Sequence, residues 1–116
     1  MKQMLVAVAA IAVLAPLAAH AQERMSDARY LAANRCLAYA DLSQLQGEPA
    51  NFTALREAAE IGSRQRSITN QARQDARSIS ARATSASLEE LRERRDEACA
   101  SFAERGLVQF GGSSAS

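Results

Sequence analysis

Two cysteines restrict the fold of this chain more than any other feature of its sequence. Cys36 and Cys99 are 63 positions apart, and each lies on or beside the apolar stripe of a segment with helical periodicity. An even number of cysteines in an exported protein is most often paired. We therefore predict a Cys36–Cys99 disulfide, which requires two helices that are distant in the chain to meet at this point.

The first 21 residues have the pattern of a secretory signal peptide. Lys2 precedes an apolar run from Met4 to Ala19, and Ala19-His20-Ala21 supplies the small residues of a cleavage site. This run is shorter than the roughly 20 apolar residues that a spanning helix needs. We therefore expect residues 1–21 to be removed as a signal peptide, no membrane span in the mature chain, and a periplasmic or secreted bacterial protein.

Three helices are predicted in a single helical domain over residues 22–110, followed by a disordered tail over 111–116. Their approximate ranges are 26–46, 53–83 and 88–105. Ser26 is suited to capping the first helix, and Ser87 opens an S-x-x-E capping box at the start of the third. Gly106 is suited to the left-handed residue that ends the third helix. Together with the helical periodicity, these signals predict an all-α fold.

The cysteine positions also bear on how the helices are arranged. We expect a small up-down-up three-helix bundle, or a bent helical hairpin, stapled by one disulfide. With the first and third helices parallel, each cysteine lies about 15 Å from the start of its helix, at 1.5 Å per residue. One long helix over 53–105 would place Cys99 about 70 Å from the turn at Gly47 and prevent the bond. The disulfide therefore favours a break in the Ser- and Thr-rich segment 78–87.

The sequence offers little for catalysis. After removal of residues 1–21 the chain has no histidine and no lysine, so it lacks the commonest general base and metal ligand. The carboxylates on the third predicted helix alternate with arginines, which is typical of a solvated face with ion pairs. These carboxylates belong to Glu89, Glu90, Glu93, Asp96, Glu97 and Glu104. We therefore expect no enzymatic activity, no metal site and no cofactor.

Charge is divided along the chain. Residues 61–86 carry a net charge of +4, whereas residues 22–60 and 87–116 each carry −2. Internal packing of a basic helix between acidic ones would explain this pattern. The other interpretation is an anion- or partner-binding face, formed by Arg64, Arg66, Arg73, Arg77 and Arg82. Zero net charge after signal removal, and no aromatic residue among these arginines, argue against nucleic acid as the partner.

These observations predict an exported, non-enzymatic helical protein that acts as a binding or structural module in the bacterial cell envelope. Its partner would be an unidentified protein or an anionic envelope component. The plan is similar in outline to that of acid-stress periplasmic chaperones, so the alternative is a stress chaperone that exposes apolar surface when its thin core loosens. The segment Ile68-Thr69-Asn70-Gln71 departs from the L-T-x-x-Q motif of the envelope-stress chaperone family by one position, and the sequence is assigned to no family.

Overall fold

The structure is a computed structural model and describes residues 24–111. This part of the chain is mostly helical, as predicted. Its four α-helices are α1 (Asp27–Ala40), α2 (Thr53–Ala59), α3 (Arg66–Ala83) and α4 (Leu88–Glu104). A 3₁₀ turn (Ser43–Leu45) and two short strands, β1 (Ala50–Asn51) and β2 (Gln109–Phe110), lie outside them. The predicted signal peptide, and the predicted tail apart from Gly111, lie outside the described residues.

Both α1 and α4 begin at the serine caps that the sequence predicts. The hydroxyls of Ser26 and Ser87 accept hydrogen bonds from the backbone N–H groups of Arg29 and Glu90, each at 3.1 Å. These bonds satisfy backbone donors that have no partner within the first helical turn. The Glu90 carboxylate accepts from Arg94, so only the serine half of the capping box is formed between these residues.

The end of α4 also follows its sequence signal. Gly106 adopts a left-handed conformation with φ +80°, and the Leu107 N–H donates to the Phe102 carbonyl at 2.9 Å. This is the pattern in which a glycine reverses the chain and satisfies the last helical carbonyls. Residues after the reversal return to the helices, where β2 pairs antiparallel with β1.

The second predicted helix, 53–83, is wrong as a continuous element. It is interrupted between α2 and α3, where Gly62 has a φ of +81°. A right-handed helix does not accommodate that conformation, and glycine adopts it without the steric penalty of a Cβ. The first predicted helix, 26–46, is shorter than expected because α1 ends at Ala40 and the chain continues into the 3₁₀ turn. The break that separates α3 from α4, at residues 84–87, agrees with the predicted one.

The parallel arrangement of the first and third helices, and with it the up-down-up order, is wrong. Near the start of α1, the Arg29 guanidinium lies 4.4 Å from the ring centre of Phe102, near the end of α4. Near the end of α1, Tyr39 lies beside Arg94, in the first half of α4, where both line one small pocket. The helices α1 and α4 are therefore antiparallel, with the disulfide between these two contacts.

The contacts between α1 and α3 have the opposite sense. Arg35 lies 3.8 Å from Asp75, and Gln44, just beyond α1, donates to the carbonyl of Ala83 at the end of α3. Arg64, just before α3, stacks on Tyr30 in the first turn of α1. The two helices are therefore parallel, so residues 41–65 must return along the length of α1 before α3 begins.

Two clusters of buried apolar side chains form the core. Cluster A surrounds the disulfide and contains Ala33, Cys36, Leu37, Leu55, Ala59, Cys99, Phe102 and Val108. Cluster B contains Leu42, Leu45, Ile79, Ala83 and Leu91. The short helix α2 belongs to cluster A through Leu55, which is fully buried. The segment that returns along α1 thus supplies part of the core against which α1 and α4 are held.

Candidate functional site

The disulfide joins Cys36 and Cys99, as the sequence predicts, with 4.9 Å between their Cα atoms. Both residues are fully buried in cluster A. A reactive cysteine pair needs access for the attacking thiolate, so this pair holds α1 against α4. The bond indicates an oxidising compartment outside the cytoplasm. The described part of the chain contains no helix long and apolar enough to cross a membrane.

Arg64 differs from the other four predicted binding residues because its side chain is buried. Its side chain is only 3% exposed and donates to an Asp27 carboxylate oxygen at 2.8 Å and to the Met25 carbonyl at 2.7 Å. Its guanidinium carbon lies 4.4 Å from the centre of the Tyr30 ring. The positive charge of Arg64 is therefore used to fix the start of α3 to the start of α1.

Three of the predicted residues form a continuous exposed face on α3. Arg66, Arg73 and Arg77 follow one another at intervals of seven and four residues, which places them on one side of a helix. The buried residues of α3, such as Ala72 and Ile79, occupy another side. None of these three arginines forms an ion pair with another residue in the range 24–111. We refer to Arg66, Arg73 and Arg77 as the basic stripe.

Arg82 is also exposed, but it lies away from the basic stripe. Five residues separate it from Arg77, which rotates it by about 140° around a helix of 3.6 residues per turn. It lines a small pocket of about 90 Å³ next to cluster B, together with Tyr39 and Arg94. The structure therefore divides the five predicted residues into one buried anchor, one three-residue stripe and one separate side chain.

Several of the arginines outside this region have carboxylate partners within the structure. Arg56 is 2.8 Å from Asp41, and the hydrogen bond to this carboxylate raises the pKa of Arg56. Arg94 is 3.1 Å from Glu90, which raises the pKa of Arg94 in the same way. By contrast, none of the three arginines of the basic stripe has a carboxylate partner in the range 24–111.

Arg95 is a structural residue that the sequence reasoning missed. It is 7% exposed and lies 3.0 Å from Asp96 and 3.7 Å from Glu48, with its guanidinium carbon 5.0 Å from the centre of the Phe110 ring. The signal was its position four residues after Leu91, within the apolar stripe of α4. These contacts connect α4 both to the loop before β1 and to β2.

The carboxylates of α4 include a second exposed stripe. Glu90 pairs with Arg94, as predicted for a solvated helix face, and Asp96 contacts Arg95. The remaining four lie on the side of α4 opposite its buried residues and form no ion pair with residues 24–111. They are Glu89, Glu93, Glu97 and Glu104. No cluster of three or more metal-ligating side chains occurs in the described range.

The largest pocket found among residues 24–111, of about 430 Å³, is open and lined mostly by polar side chains. It lies between α1, the end of α2 and the start of α3, and its lining includes Tyr30, Asn34, Arg56, Glu60 and Arg64. The two arginines in this lining are already bound to Asp41 and Asp27. The exposed, unpaired charge of the basic stripe therefore remains the stronger candidate for a binding site.

Comparison with known proteins yields no relative: no protein-family model, curated protein or solved structure matches this chain.

Proposed function

We propose that this protein is an exported, non-enzymatic binding module of the bacterial cell envelope, and that the basic stripe on α3 holds an anionic partner. The observation that carries the proposal is the lack of internal partners for this stripe. Arg66, Arg73 and Arg77 are exposed on one helix face, whereas Arg56, Arg64 and Arg94 are each bound to a carboxylate. The predicted signal peptide and the buried disulfide support a location outside the cytoplasm.

Internal packing does not account for the positive charge of α3. The ion pair that α3 makes with α1 involves Asp75, its one acidic residue, and Arg35 of α1. Arg66, Arg73 and Arg77 point away from the buried side of the helix instead of towards the carboxylates of α1 or α4. An excess of charge that is not used within the fold supports recognition of an external anion.

The chemistry of the basic stripe suits phosphate or carboxylate groups. Its outer arginines are eleven residues apart, or about 16 Å along a helix. Each guanidinium presents a planar fork of donors that can bind either anion through two parallel hydrogen bonds. A surface with several anionic groups can therefore contact all three side chains at once.

Binding of residues 22–116 to two anionic probes tests this function. The probes are phosphatidylglycerol vesicles, measured by co-sedimentation, and polyglutamate, measured by calorimetry, with phosphatidylcholine vesicles as the uncharged reference. The double variant R73Q/R77Q should lose most of the binding. The double variant R82Q/R105Q, which removes the same charge from exposed positions outside the stripe, should retain it. Equal binding by the two variants would overturn the proposal, as would a wild type that binds neither probe at a concentration at which it is monomeric.

The stress-chaperone alternative depends on apolar surface that a native-like state releases. Among residues 24–111, Leu88 is the exposed large apolar side chain, at 42%. Cluster B is small and includes Leu91, three residues after Leu88. Loosening of this cluster would therefore enlarge the exposed apolar surface around Leu88. Suppression of the light scattering of an aggregating client protein, measured as pH is lowered, tests the alternative.

A further inference from the structure

We propose that the anionic partner of the basic stripe is α4 of a second copy of this chain. This inference rests on the function proposed above and identifies its partner. The second copy would contribute an acidic stripe, which we define as Glu93, Glu97 and Glu104. These three side chains are exposed and have no ion-pair partner within the described structure.

The spacing of the two stripes is complementary. Read towards the N-terminus, the basic stripe has intervals of four and then seven residues, from Arg77 to Arg73 to Arg66. Read towards the C-terminus, the acidic stripe has the same intervals, from Glu93 to Glu97 to Glu104. When two helices pack antiparallel, the residue numbers of each facing pair add up to the same value. The pairs Arg77–Glu93, Arg73–Glu97 and Arg66–Glu104 share one such sum, so all three can form in a single register. The matched heights are about 6 Å and then about 10 Å apart, from the rise per residue of a helix.

One chain cannot satisfy both stripes by itself. The basic stripe lies away from the buried residues of α3, such as Ala72 and Ile79, and the acidic stripe lies away from those of α4, such as Leu91 and Phe102. Because these buried sides pack towards α1, each stripe faces outwards. Each copy therefore presents one basic stripe and one acidic stripe to its neighbours.

The contact between copies is heterologous, since it joins two different surfaces. Such a contact leaves one stripe of each kind open after two copies have met, so association can continue head to tail or close into a ring. Equal numbers of positive and negative groups meet across it, which agrees with the zero net charge of residues 22–116. A surface of phosphate groups would match the basic stripe but would leave the acidic stripe without a partner.

This contact should be weak and sensitive to salt. Exposed ion pairs strengthen association by at most about fivefold each, so three pairs give an increase of at most about a hundredfold. Screening shortens the range of these interactions from about 30 Å at 0.01 M to about 8 Å at 0.15 M ionic strength. We therefore expect the average mass in solution to fall as salt is raised.

Charge reversal provides the decisive experiment. One variant, R66E/R73E/R77E, has two acidic stripes, and the other, E93R/E97R/E104R, has two basic stripes. Each is compared with oxidised wild type, residues 22–116, by sedimentation equilibrium at low ionic strength. The wild type should be heavier than a monomer, each variant alone should be monomeric, and an equimolar mixture of the two should associate again. The substitutions also change the net charge of residues 22–116 from 0 to −6 and +6, so association of the mixture supports the inference only together with loss of association by each neutralised variant, R73Q/R77Q and E93Q/E97Q.

Each other outcome overturns the inference. These outcomes are a monomeric wild type at low ionic strength, self-association of either variant alone, and a mixture that stays monomeric. Circular dichroism checks that the variants fold, and R73Q/R77Q with E93Q/E97Q replaces them if they do not, with loss of association expected for each. A monomeric wild type that still binds phosphatidylglycerol vesicles or polyglutamate overturns the second copy as partner and leaves the proposed function intact. Absence of both association and probe binding overturns both.

Discussion

Removal of the disulfide tests how the small core of this protein is stabilised. The perturbation is reduction of the Cys36–Cys99 bond, compared with the double variant C36A/C99A. Reduction breaks the covalent link and converts the two residues to thiols, whose unbonded sulfur atoms stay in cluster A but move further apart. The double variant also removes two fully buried sulfurs, so the difference between the two samples isolates their contribution to packing.

The expected effect follows from the length of chain that the bond closes. The two cysteines are 63 residues apart. In the chain-entropy model, a disulfide that closes a loop of this length raises the free energy of the unfolded chain by about 4 kcal/mol. Loss of a buried group the size of a methylene adds about 0.8 kcal/mol at each position in the double variant. A domain of this size has about 5–10 kcal/mol of total stability, so roughly half of it depends on the bond.

Urea unfolding, followed by far-ultraviolet circular dichroism, measures this effect. The free energy of unfolding should fall by about 4 kcal/mol on reduction, and the slope against urea concentration should rise because the reduced unfolded chain exposes more surface. A loss of less than about 1 kcal/mol with an unchanged slope would show that the clusters hold α1 against α4 without the bond. Chain entropy would then not be the source of the stability of this domain.

Three further substitutions test individual contacts, each by its effect on the free energy of unfolding. Arg64→Met removes charge-assisted hydrogen bonds to the start of α1 and should lower stability by about 2 kcal/mol. The control substitution Arg82→Met should have little effect. Equal effects of the two substitutions would contradict the anchoring role of Arg64. Gly62→Ala should lower stability by about 1–2 kcal/mol because its φ is +81°, while Gly47→Ala, which faces open space, should change it by less than about 0.5 kcal/mol. Ser87→Ala should lower it by about 1 kcal/mol through loss of the α4 cap, and an unchanged stability would mean that water replaces the hydroxyl.

Features that depend on local chemistry could be predicted from the sequence. Ser26 and Ser87 cap helices because their hydroxyls reach backbone donors three residues away, and Gly106 ends a helix because it accepts a positive φ. The pairing of Cys36 with Cys99 followed from compartment and number, since two cysteines allow a single intramolecular bond. Each of these inferences required only a short segment or a count.

The direction of the helices could not be predicted in the same way. Cys36 lies near the middle of the first predicted helix, about equally far from Ser26 and Leu45, so its height is nearly the same whether the helix points up or down. The disulfide was therefore compatible with both directions. The correct one depends on the left-handed Gly62 and on the contact of Arg64 with Asp27, a residue 37 positions away, and neither local periodicity nor charge specified them.

The candidate site was predicted in part. The excess of positive charge at residues 61–86 identified the region, and Arg66, Arg73 and Arg77 do lie together on one exposed face. Composition could not distinguish these residues from Arg64, whose role is set by a distant carboxylate, or from Arg82, which lies on another side of α3. Whether an arginine is free for a partner depends on which carboxylates the fold brings near it.

The separation of Cys36 and Cys99 along the chain determines when the core of the domain can be completed during synthesis. Cys36 is synthesised 63 residues before its partner, an interval of about 3–13 s at ordinary rates of translation. Val108 of cluster A and the strand β2 follow Cys99 by roughly another ten residues. The first helix of the domain, α1, therefore has an unpaired thiol and an incomplete core until the segment that ends with β2 has been synthesised. For this protein, α1 therefore remains open to contacts with other chains until Val108 and β2 have been made.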